Sequence, residues 1–331
     1  MPDANPDRNV STTDIFNGDA DGLIARHQFR LAHPDTDAPA TLITGVKRDI
    51  ALLQRASAGP GDVLNVFDIS WDQNAAAGAA LLAAGVHLRY FDHHGANRLP
   101  THPGLEAYID HHADICTSLI VDRHIGGAHR QWAIAGAFGD NLLVTARALA
   151  AGAWLSPAQT AQLQQLGECL NYNAYGDTIE DLHFPPATLA RLMQPYADPF
   201  TFLALENVVS RLADGYASDL ALAEAATPSH ADGGFAVYVL PDQAWARRAS
   251  GIFANQLVHR FAQRAHAVVT PDPWGSATVS IRAPRNAPHG ADTVASRFAG
   301  GGGRAAAAGV NRLPLDALDQ LTAAMSAAFH G

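Results

Sequence analysis

The segment VHLRYFDHH, at residues 86–94, places one carboxylate and two imidazoles directly after a predicted β-strand. Apolar residues alternate along its first half, which is the pattern of a strand, and Asp92, His93 and His94 close it. In open α/β sheets, ligands bind beyond the carboxyl ends of the strands. Because carboxylates and imidazoles are ligands of divalent metals, the triplet predicts a metal centre, although a single triplet is a weak signal.

Two earlier predicted strands also end on carboxylates. Asp68 closes the apolar run DVLNVFDI, where a carboxylate without a partner would be costly. Asp19 and Asp21 lie in NGDADG, which follows the strand predicted over 10–16. This loop is neither a dinucleotide-binding glycine fingerprint nor an EF-hand, and taken alone it could be a solvated, helix-capping turn. Three acidic strand ends in succession favour one shared metal centre.

Alternating strands and helices predict an α/β fold with a doubly wound, mostly parallel sheet in an N-terminal domain. A helical connection and a smaller α/β domain follow. The predicted strands of the first domain are 10–16, 41–46, 62–69, the strand of VHLRYFDHH and 105–109, with helices at 23–32 and 72–84. Helical periodicity extends from 131 to about 226. The second domain is predicted to contain strands at 235–240, 266–270 and 278–282 and helices at 244–264 and 292–298.

The length of 331 residues and the 48% hydrophobic content are sufficient for two domains. The small, polar segment ATPSHADGG (226–234) is the best linker candidate. We therefore predict a metal-binding catalytic domain at 1–185, a helical connector and linker at 186–232, and a substrate-binding domain at 233–331.

Charge is distributed unevenly along the chain. Residues 241–331 carry nine Arg and five Asp, whereas residues 1–240 carry 13 basic and 27 acidic side chains, within a net charge of −10. This asymmetry suggests metal ligands in one part and anion binding in the other. A general preference for Arg explains the pattern equally well, since Lys47 is the only lysine.

Several classes of protein are disfavoured by the sequence. No run of 18 apolar residues predicts a membrane span, and the first residues lack the pattern of a secretory signal. Cys116 and Cys169 are the only cysteines, which fits a reducing cytoplasm. The acidic net charge disfavours binding to long duplex DNA.

The motifs resemble those of the DHH phosphoesterase superfamily. This superfamily includes RecJ-type exonucleases, oligoribonucleases that degrade nanoRNA, cyclic-dinucleotide phosphodiesterases, exopolyphosphatases and family II pyrophosphatases. The resemblance covers NGDADG, Asp68, the Asp92-His93-His94 triplet 24 residues later, and Asp140 in GAFGDN. It implies a phosphoesterase with two Mn²⁺ ions, with Mg²⁺ as the alternative metal.

The resemblance also implies a role for each matched residue. One ion would be held by Asp19 and Asp68, and the other by Asp21, Asp68, His93 and Asp140, with Asp68 bridging. His94 would position or protonate the reacting phosphate, and Asp68 and Asp92 are the other catalytic candidates. Asn17 stands where RecJ-like members have an aspartate ligand, and Ile15 stands where many members have a histidine. The first ion is therefore expected either to lack one ligand or to be held by the neutral amide of Asn17 and water.

A second Asp-His-His triplet occupies residues 110–112, after the predicted strand at 105–109. The spacing from Asp68 favours the first triplet as the metal ligand, with His111 or His112 as possible phosphate contacts. Tyr172 and Tyr175 are candidates for stacking on a base, although a buried helix connection is the favoured interpretation of that segment.

The C-terminal domain contains the run GGGGRAAAAG at 300–309. Backbone N–H groups of a glycine-rich loop can approach an anion closely, and an arginine can fork onto it. The run resembles the GGGH-x-x-AAG signature of the substrate-binding domain in the RecJ and nanoRNase branches, with Arg304 in place of His. The residues expected to bind substrate are Asn255, Arg282, Gly301, Gly302, Gly303 and Arg304.

The sequence thus favours a metal-dependent phosphodiesterase that cuts short linear nucleotides, such as pGpG or nanoRNA, to mononucleotides. One alternative is hydrolysis of polyphosphate or a phosphomonoester at the same metal centre. Another is a nucleotide sensor without turnover, which the residues Ile15 and Asn17 motivate. Base preference, cyclic substrates and a possible homodimer remain open.

Overall fold

In the computed structural model, which describes residues 10–34 and 38–329, the chain divides into two units. The first unit ends at Ala213 and the second begins at Asp214. This boundary falls inside the segment 186–232 that the sequence assigned to a connector.

A parallel five-stranded sheet organises the first unit. Its strands are β1 (Thr12–Phe16), β2 (Thr41–Thr44), β3 (Val63–Phe67), β4 (His87–Asp92) and β5 (Leu105–Ile109). They are ordered β2-β1-β3-β4-β5, and every pairing is parallel. The strand order reverses between β1 and β3, the point at which doubly wound sheets bind ligands. The α/β prediction for this part of the chain is confirmed.

The helices of the first unit cover both faces of the sheet. They are α1 (Ala20–Ala32), α2 (Trp71–Ala83), α3 (Thr117–His124), α4 (Arg130–Gly139), α5 (Leu143–Gly152), α6 (Pro157–Asn173), α7 (Pro186–Met193), α8 (Pro199–Leu205) and α9 (Val208–Glu224), the last of which extends into the second unit. One hydrophobic cluster joins the sheet to α1, α3, α4 and α6, and another joins it to α2 and the 3₁₀ helix at Leu52–Arg55.

Aromatic side chains align the ends of the central strands. Phe16, Phe67 and Phe91 are neighbours in the register of β1, β3 and β4, and Tyr108 continues the row on β5. The rings of Phe67 and Phe91 stack 5.5 Å apart, and those of Phe91 and Tyr108 stack 4.8 Å apart. Burial of each such ring contributes about 1.5–3 kcal/mol. Because the row holds the strand ends at one level, the residues that follow each strand emerge side by side.

Close packing of α4 against α6 sets the position of Asp140, which follows α4. A Cβ atom on Gly167 would lie 2.0 Å from the carbonyl oxygen of Ala135, so only glycine permits this approach. The segment 131–226, which the sequence predicts to be helical, forms the separate helices α4 to α9.

A mixed six-stranded sheet forms the second unit. Its strands are β6 (His230–Ala231), β7 (Phe235–Val239), β8 (Ala265–Pro271), β9 (Ser276–Arg282), β10 (Gly301–Arg304) and β11 (Ala307–Pro314), in the order β10-β11-β9-β8-β7-β6. Strands β7 and β8 pair in parallel, and the other neighbours in this order pair antiparallel. One face packs against α10 (Ala244–Arg260), and the other packs against α11 (Ala291–Ala295) and α12 (Leu318–Phe329).

Two segments of the second unit differ from the sequence predictions. The glycine-rich run was predicted as a loop, but Gly301–Arg304 forms the edge strand β10, paired with β11 so that Gly302 lies opposite Gly309. Glycine has a low strand propensity, so this pairing depends on β11 rather than on the local sequence. The linker candidate at 226–234 contains β6, which pairs with β7.

Among residues 10–34 and 38–329, none of the helices combines the length and apolarity that a membrane crossing requires.

Candidate metal centre

Asp68 lies at the middle of a cluster formed by the loops after β1, β3 and β4. It is buried, and its backbone adopts φ +59°, in the left-handed region that few residues other than glycine occupy. Its N–H donates to the carbonyl of Phe91 at 3.0 Å, which ties the loop to β4. Backbone strain of this kind is typical of functional sites, and here it turns the carboxylate toward the neighbouring strand end.

His93 joins the carboxylates of several loops. Its Nε2 atom lies 3.4 Å from Asp68 Oδ1 and 4.0 Å from Asp21 Oδ2, and its Nδ1 atom lies 4.0 Å from Asp140 Oδ2. The Nδ1 atom also lies 3.0 Å from the carbonyl oxygen of Ile115, to which it can donate. A donor bond from Nδ1 leaves Nε2 as the metal ligand, which is the usual arrangement around metal-bound histidines.

Two sets of side chains among the described residues are close enough to hold a metal ion. One set is Asp68, His93 and His94, and the other is Asp21, His93 and Asp140. The donor atoms are carboxylate oxygens and imidazole nitrogens, and carboxylates suit Mn²⁺ or Mg²⁺. The residues present therefore fit a divalent cation, with His93 common to both sets.

The electrostatics of the cluster reflect an excess of carboxylates. Burial and the nearby Asp19 and Asp21 raise the pKa of Asp68 well above its usual value. Burial and Asp21 likewise raise the pKa of Asp140 to about 7. Burial opposes the charge of His93, but its hydrogen bond to Asp68 and the neighbouring carboxylates prevail and raise its pKa to about 10. A divalent cation would neutralise the same excess of negative charge.

Asp21 is held by the N-terminus of α3. The backbone N–H groups of Thr117 and Ser118 donate to its two carboxylate oxygens at 2.7 Å each. The Thr117 hydroxyl also donates to Asp68 Oδ1 at 3.1 Å. A role for Thr117 in the centre was missed by the sequence reasoning, and the only signal was the short hydroxyl-bearing segment Cys116-Thr117-Ser118.

His94 is paired with Asp92. Its Nδ1 atom lies 2.8 Å from Asp92 Oδ1, and Asp92 is fully buried. This hydrogen bond raises the pKa of His94, with burial opposing. About half of the His94 side chain is exposed, so an imidazole held in place by Asp92 can meet a substrate from the solvent side.

The residues expected at the first ion, Asn17 and Asp19, have other partners. Asp19 Oδ1 accepts the N–H groups of Asp21 and Gly22 at 3.1 Å and caps α1, and Lys47 Nζ donates to Asp19 Oδ2. Asn17 Oδ1 accepts the N–H of Asp19 at 3.2 Å, and its Nδ2 donates to the carbonyl of Lys47 at 3.2 Å. Although burial opposes ionisation, Lys47 lowers the pKa of Asp19. Neither set of metal donors found in the described residues includes Asn17 or Asp19.

A cleft of about 390 Å³ opens above the cluster. Cavities of this size hold small ligands. Its lining residues are Asn17, Asp19, Lys47, Ile50, Asp68, Ser70, Gln73, His93, His94 and Asp140.

The second Asp-His-His triplet lies outside both sets. Asp110 accepts the N–H of His112 at 3.1 Å and pairs with Arg123 at 2.8 Å. His111 and His112 are exposed. Tyr172 is buried, and its hydroxyl lies 3.1 Å from His183 Nε2, whereas the Tyr175 ring lies 5.9 Å from Lys47 Nζ.

In the second unit, the predicted substrate-binding residues fall into two groups. Arg282 on β9 lies with Asn255, and Gly301–Arg304 form β10, which is separated from β9 by β11. Arg282 Nε donates to Asn255 Oδ1, on α10, at 2.7 Å. Arg282 and Arg304 each lie opposite Ala307 in the register of the sheet, so they share one row two strands apart. That separation corresponds to about 10 Å. Gly302, Gly303 and Arg304 are exposed.

Comparison with solved structures identifies the architecture. A RecJ exonuclease bound to manganese is 18% identical, with a TM-score of 0.63 over 96% of this chain and 89% of that chain. A DHH-domain protein described as a member of a family of ribosomal proteins is 11% identical, with a TM-score of 0.66 over 96% of this chain and 86% of its own. The pGpG-specific phosphodiesterase PggH from Vibrio cholerae is 13% identical, with a TM-score of 0.53 over 96% and 99%.

No family model matches the sequence, and no curated protein matches it. At these levels of identity, the structural likeness establishes the fold. The chain has the fold of the two-domain DHH proteins, which confirms the resemblance of the motifs at the level of architecture.

Proposed function

We propose that this chain, which has the fold of the two-domain DHH proteins, is a divalent-metal-dependent phosphodiesterase acting on short linear nucleotides such as pGpG. The proposal rests on the close approach of Asp68 and His93. Asp68 Oδ1 lies 3.4 Å from His93 Nε2, and both residues line the cleft. The fold shared with a manganese-bound RecJ exonuclease supports the reaction class. The match to 99% of the pGpG-specific phosphodiesterase PggH supports a dinucleotide substrate.

Asp21, Asp68, His93 and Asp140 would hold the metal. Mn²⁺ is the expected ion, with Mg²⁺ as the alternative, because RecJ structures contain either. A divalent cation bound there supplies Lewis-acid stabilisation of the negative charge that develops on the phosphoryl oxygens.

His94 would act on the leaving group. Its hydrogen bond to Asp92 raises the pKa of the imidazole, which favours its protonated form, and fixes its orientation. As water adds to phosphorus and loses a proton to the solvent, a protonated imidazole within reach of the cleft can donate its proton to the oxygen that departs. Asp92 would position His94, and Asp68 would hold the metal.

The second unit would recognise the nucleotide. Arg282, oriented by Asn255, and Arg304 on the exposed edge strand provide cationic groups for a phosphate. The exposed backbone of Gly302 and Gly303, next to the half-buried Gly301, would allow a phosphate or base to approach closely. These contacts would favour substrates with a terminal phosphate.

The test is hydrolysis of pGpG by the purified full-length chain, with and without Mn²⁺ after chelation. Short oligoribonucleotides, polyphosphate and bis-p-nitrophenyl phosphate would be assayed in parallel. We expect Mn²⁺-dependent release of mononucleotides, which Asp68→Asn should abolish. Asp110→Asn is the matched control, because Asp110 belongs to the exposed second triplet, and it should retain activity.

The other substrates distinguish the competing functions. Release of phosphate from polyphosphate alone would replace the proposal with a phosphoanhydride hydrolase. Binding of pGpG without cleavage of any substrate would replace it with a nucleotide sensor.

A further inference from the structure

The ammonium group of Lys47 occupies the side of the cluster at which the DHH motifs place one of two metal ions. Its Nζ atom donates to Asp19 Oδ2 and, at 2.9 Å, to Asn171 Oδ1. Asp19 is the residue that the resemblance assigns to the first ion alone. The oxygen of Asp19 that is not used for capping α1 is therefore already neutralised by a cation from the protein.

The backbone around Lys47 is held on both sides. Its N–H donates to the carbonyl of Ala174 at 3.0 Å, and its carbonyl accepts the Nδ2 group of Asn17 at 3.2 Å. Because the other end of the Asn17 amide accepts the N–H of Asp19, the amide links the lysine loop to the carboxylate loop. Asn17 thus stabilises the position of the lysine, and its oxygen is engaged by the backbone.

Lys47 is the only lysine in the 331 residues. The other basic side chains are arginines, whose planar guanidinium is larger and directs its donors in a fork. An ammonium is a compact point charge with three donors, which is the protein group most similar in shape to a small cation. The single lysine of the chain lies where its ammonium donates to both Asp19 and Asn171.

We infer that Lys47 takes the place of one of the two metal ions, so that the chain binds a single divalent cation at Asp21, Asp68, His93 and Asp140. This inference deepens the proposed function and rests on it. Of the three N–H bonds of the ammonium, two are used by Asp19 and Asn171 within the described residues. Lys47 lines the cleft and its side chain is 35% exposed, so the third N–H can donate to a phosphoryl oxygen of the substrate.

The experiment is a count of bound Mn²⁺ per chain by equilibrium dialysis and elemental analysis, without any substrate. We expect one ion in the wild-type protein and two in Lys47→Met, in which Asp19 and Asn171 regain free oxygens. Arg48→Met is the matched control, because Arg48 lies in the same turn as Lys47 and pairs with Asp177 instead of Asp19. It should bind one ion. Two ions in the wild-type protein, or one ion in both the wild type and Lys47→Met, would overturn the inference.

Electron paramagnetic resonance provides a second measurement on the same samples. Two Mn²⁺ ions that share a bridging carboxylate lie about 3.5–4 Å apart and couple magnetically, whereas one ion gives an uncoupled spectrum. The uncoupled spectrum is expected for the wild type and the coupled one for Lys47→Met. Circular dichroism tests whether Lys47→Met is folded. If the variant is not folded, the number of Mn²⁺ ions bound by the wild-type protein decides the outcome.

The inference and the proposed function fail in different ways. A protein that cleaves pGpG and binds two ions in the wild type retains the function and loses the inference. A protein that cleaves no nucleotide but changes from one ion to two upon Lys47→Met retains the role of the lysine and loses the function.

Discussion

The hydroxyl of Thr117 donates a hydrogen bond to Asp68 Oδ1 at 3.1 Å. The backbone N–H of the same residue donates to Asp21 Oδ2 at 2.7 Å. One residue at the start of α3 thus orients a carboxylate from each of the two metal-ligand sets. The N-terminus of α3 thus fixes the direction of Asp21 through hydrogen bonds to both of its carboxylate oxygens.

Replacement of Thr117 by Val should weaken Mn²⁺ binding by about 10- to 100-fold, the usual effect of losing a partner that orients a metal ligand. Valine keeps the branched shape and the backbone N–H but cannot donate to Asp68. Thr117→Ser retains the hydroxyl and should bind Mn²⁺ nearly as the wild type does. Calorimetric titration with Mn²⁺ measures both, and equal losses in the two variants would show that packing, not the hydrogen bond, is responsible.

The hydrogen bond between His94 and Asp92 predicts that kcat falls at high pH. The hydrogen bond to Asp92 raises the pKa of His94, so an imidazole that donates a proton is active below that pKa and loses activity as the pH rises through it. Asp92→Asn keeps a hydrogen-bond acceptor but removes the negative charge. The fall in kcat should therefore move to lower pH.

Asp72→Asn is the control for this profile, since Asp72 lies at the start of α2 and accepts hydrogen bonds from Asn97 at the surface. Its high-pH limb should match that of the wild type. An unchanged limb in Asp92→Asn would remove His94 from the role of proton donor.

Mn²⁺ binding should release protons and become tighter as the pH rises. The folded protein holds a proton on His93, whose pKa is about 10, and a fractional proton on Asp140, whose pKa is about 7. A metal ligand must be deprotonated, so these protons compete with the cation. Near pH 7 we expect more than one proton released per ion, because the raised pKa of Asp68 also favours a proton on that ligand.

Calorimetry in two buffers of different ionisation enthalpy measures that number. Asp140→Asn should reduce it by a fraction of a proton, because the protons on His93 and Asp68 are still displaced. Affinity that is constant or decreases between pH 6 and pH 8 (about one unit either side of the Asp140 pKa) would contradict the assignment of these two residues as ligands.

The sequence predicted the sheet and the acidic strand ends because both depend on local pattern. The apolar run before Asp68 and the alternation before Asp92 mark strands directly, and parallel strands bring their ends together. Thr117 and Lys47 could not be found in this way. Thr117 contacts Asp21 across 96 positions of the chain, and Lys47 contacts Asn171 across 124.

In the second unit, the strand formed by the glycine-rich segment likewise could not be predicted from local sequence. The run at 300–303 has no side chains to indicate a strand, and only its pairing with β11 places Gly302 opposite Gly309. The role of Asn17 was likewise inferred from its position in a motif. Its amide oxygen and nitrogen are both bound to backbone groups, which no motif reveals.

The buried carboxylate of Asp14 predicts a large loss of stability upon substitution. It lies within β1 and accepts Arg26 Nε at 2.9 Å, Arg30 Nε at 2.7 Å and Asn65 Nδ2 at 3.0 Å, with no exposure to solvent. Asp14→Leu leaves two buried guanidinium groups without their carboxylate, which should lower the free energy of unfolding by ~3–5 kcal/mol. Asp110→Leu breaks the solvent-exposed pair with Arg123 and should have a far smaller effect. Urea unfolding of the metal-free proteins, followed by circular dichroism, measures both. Similar losses in the two variants would mean that the Asp14 cluster adds no more to stability than a surface ion pair does.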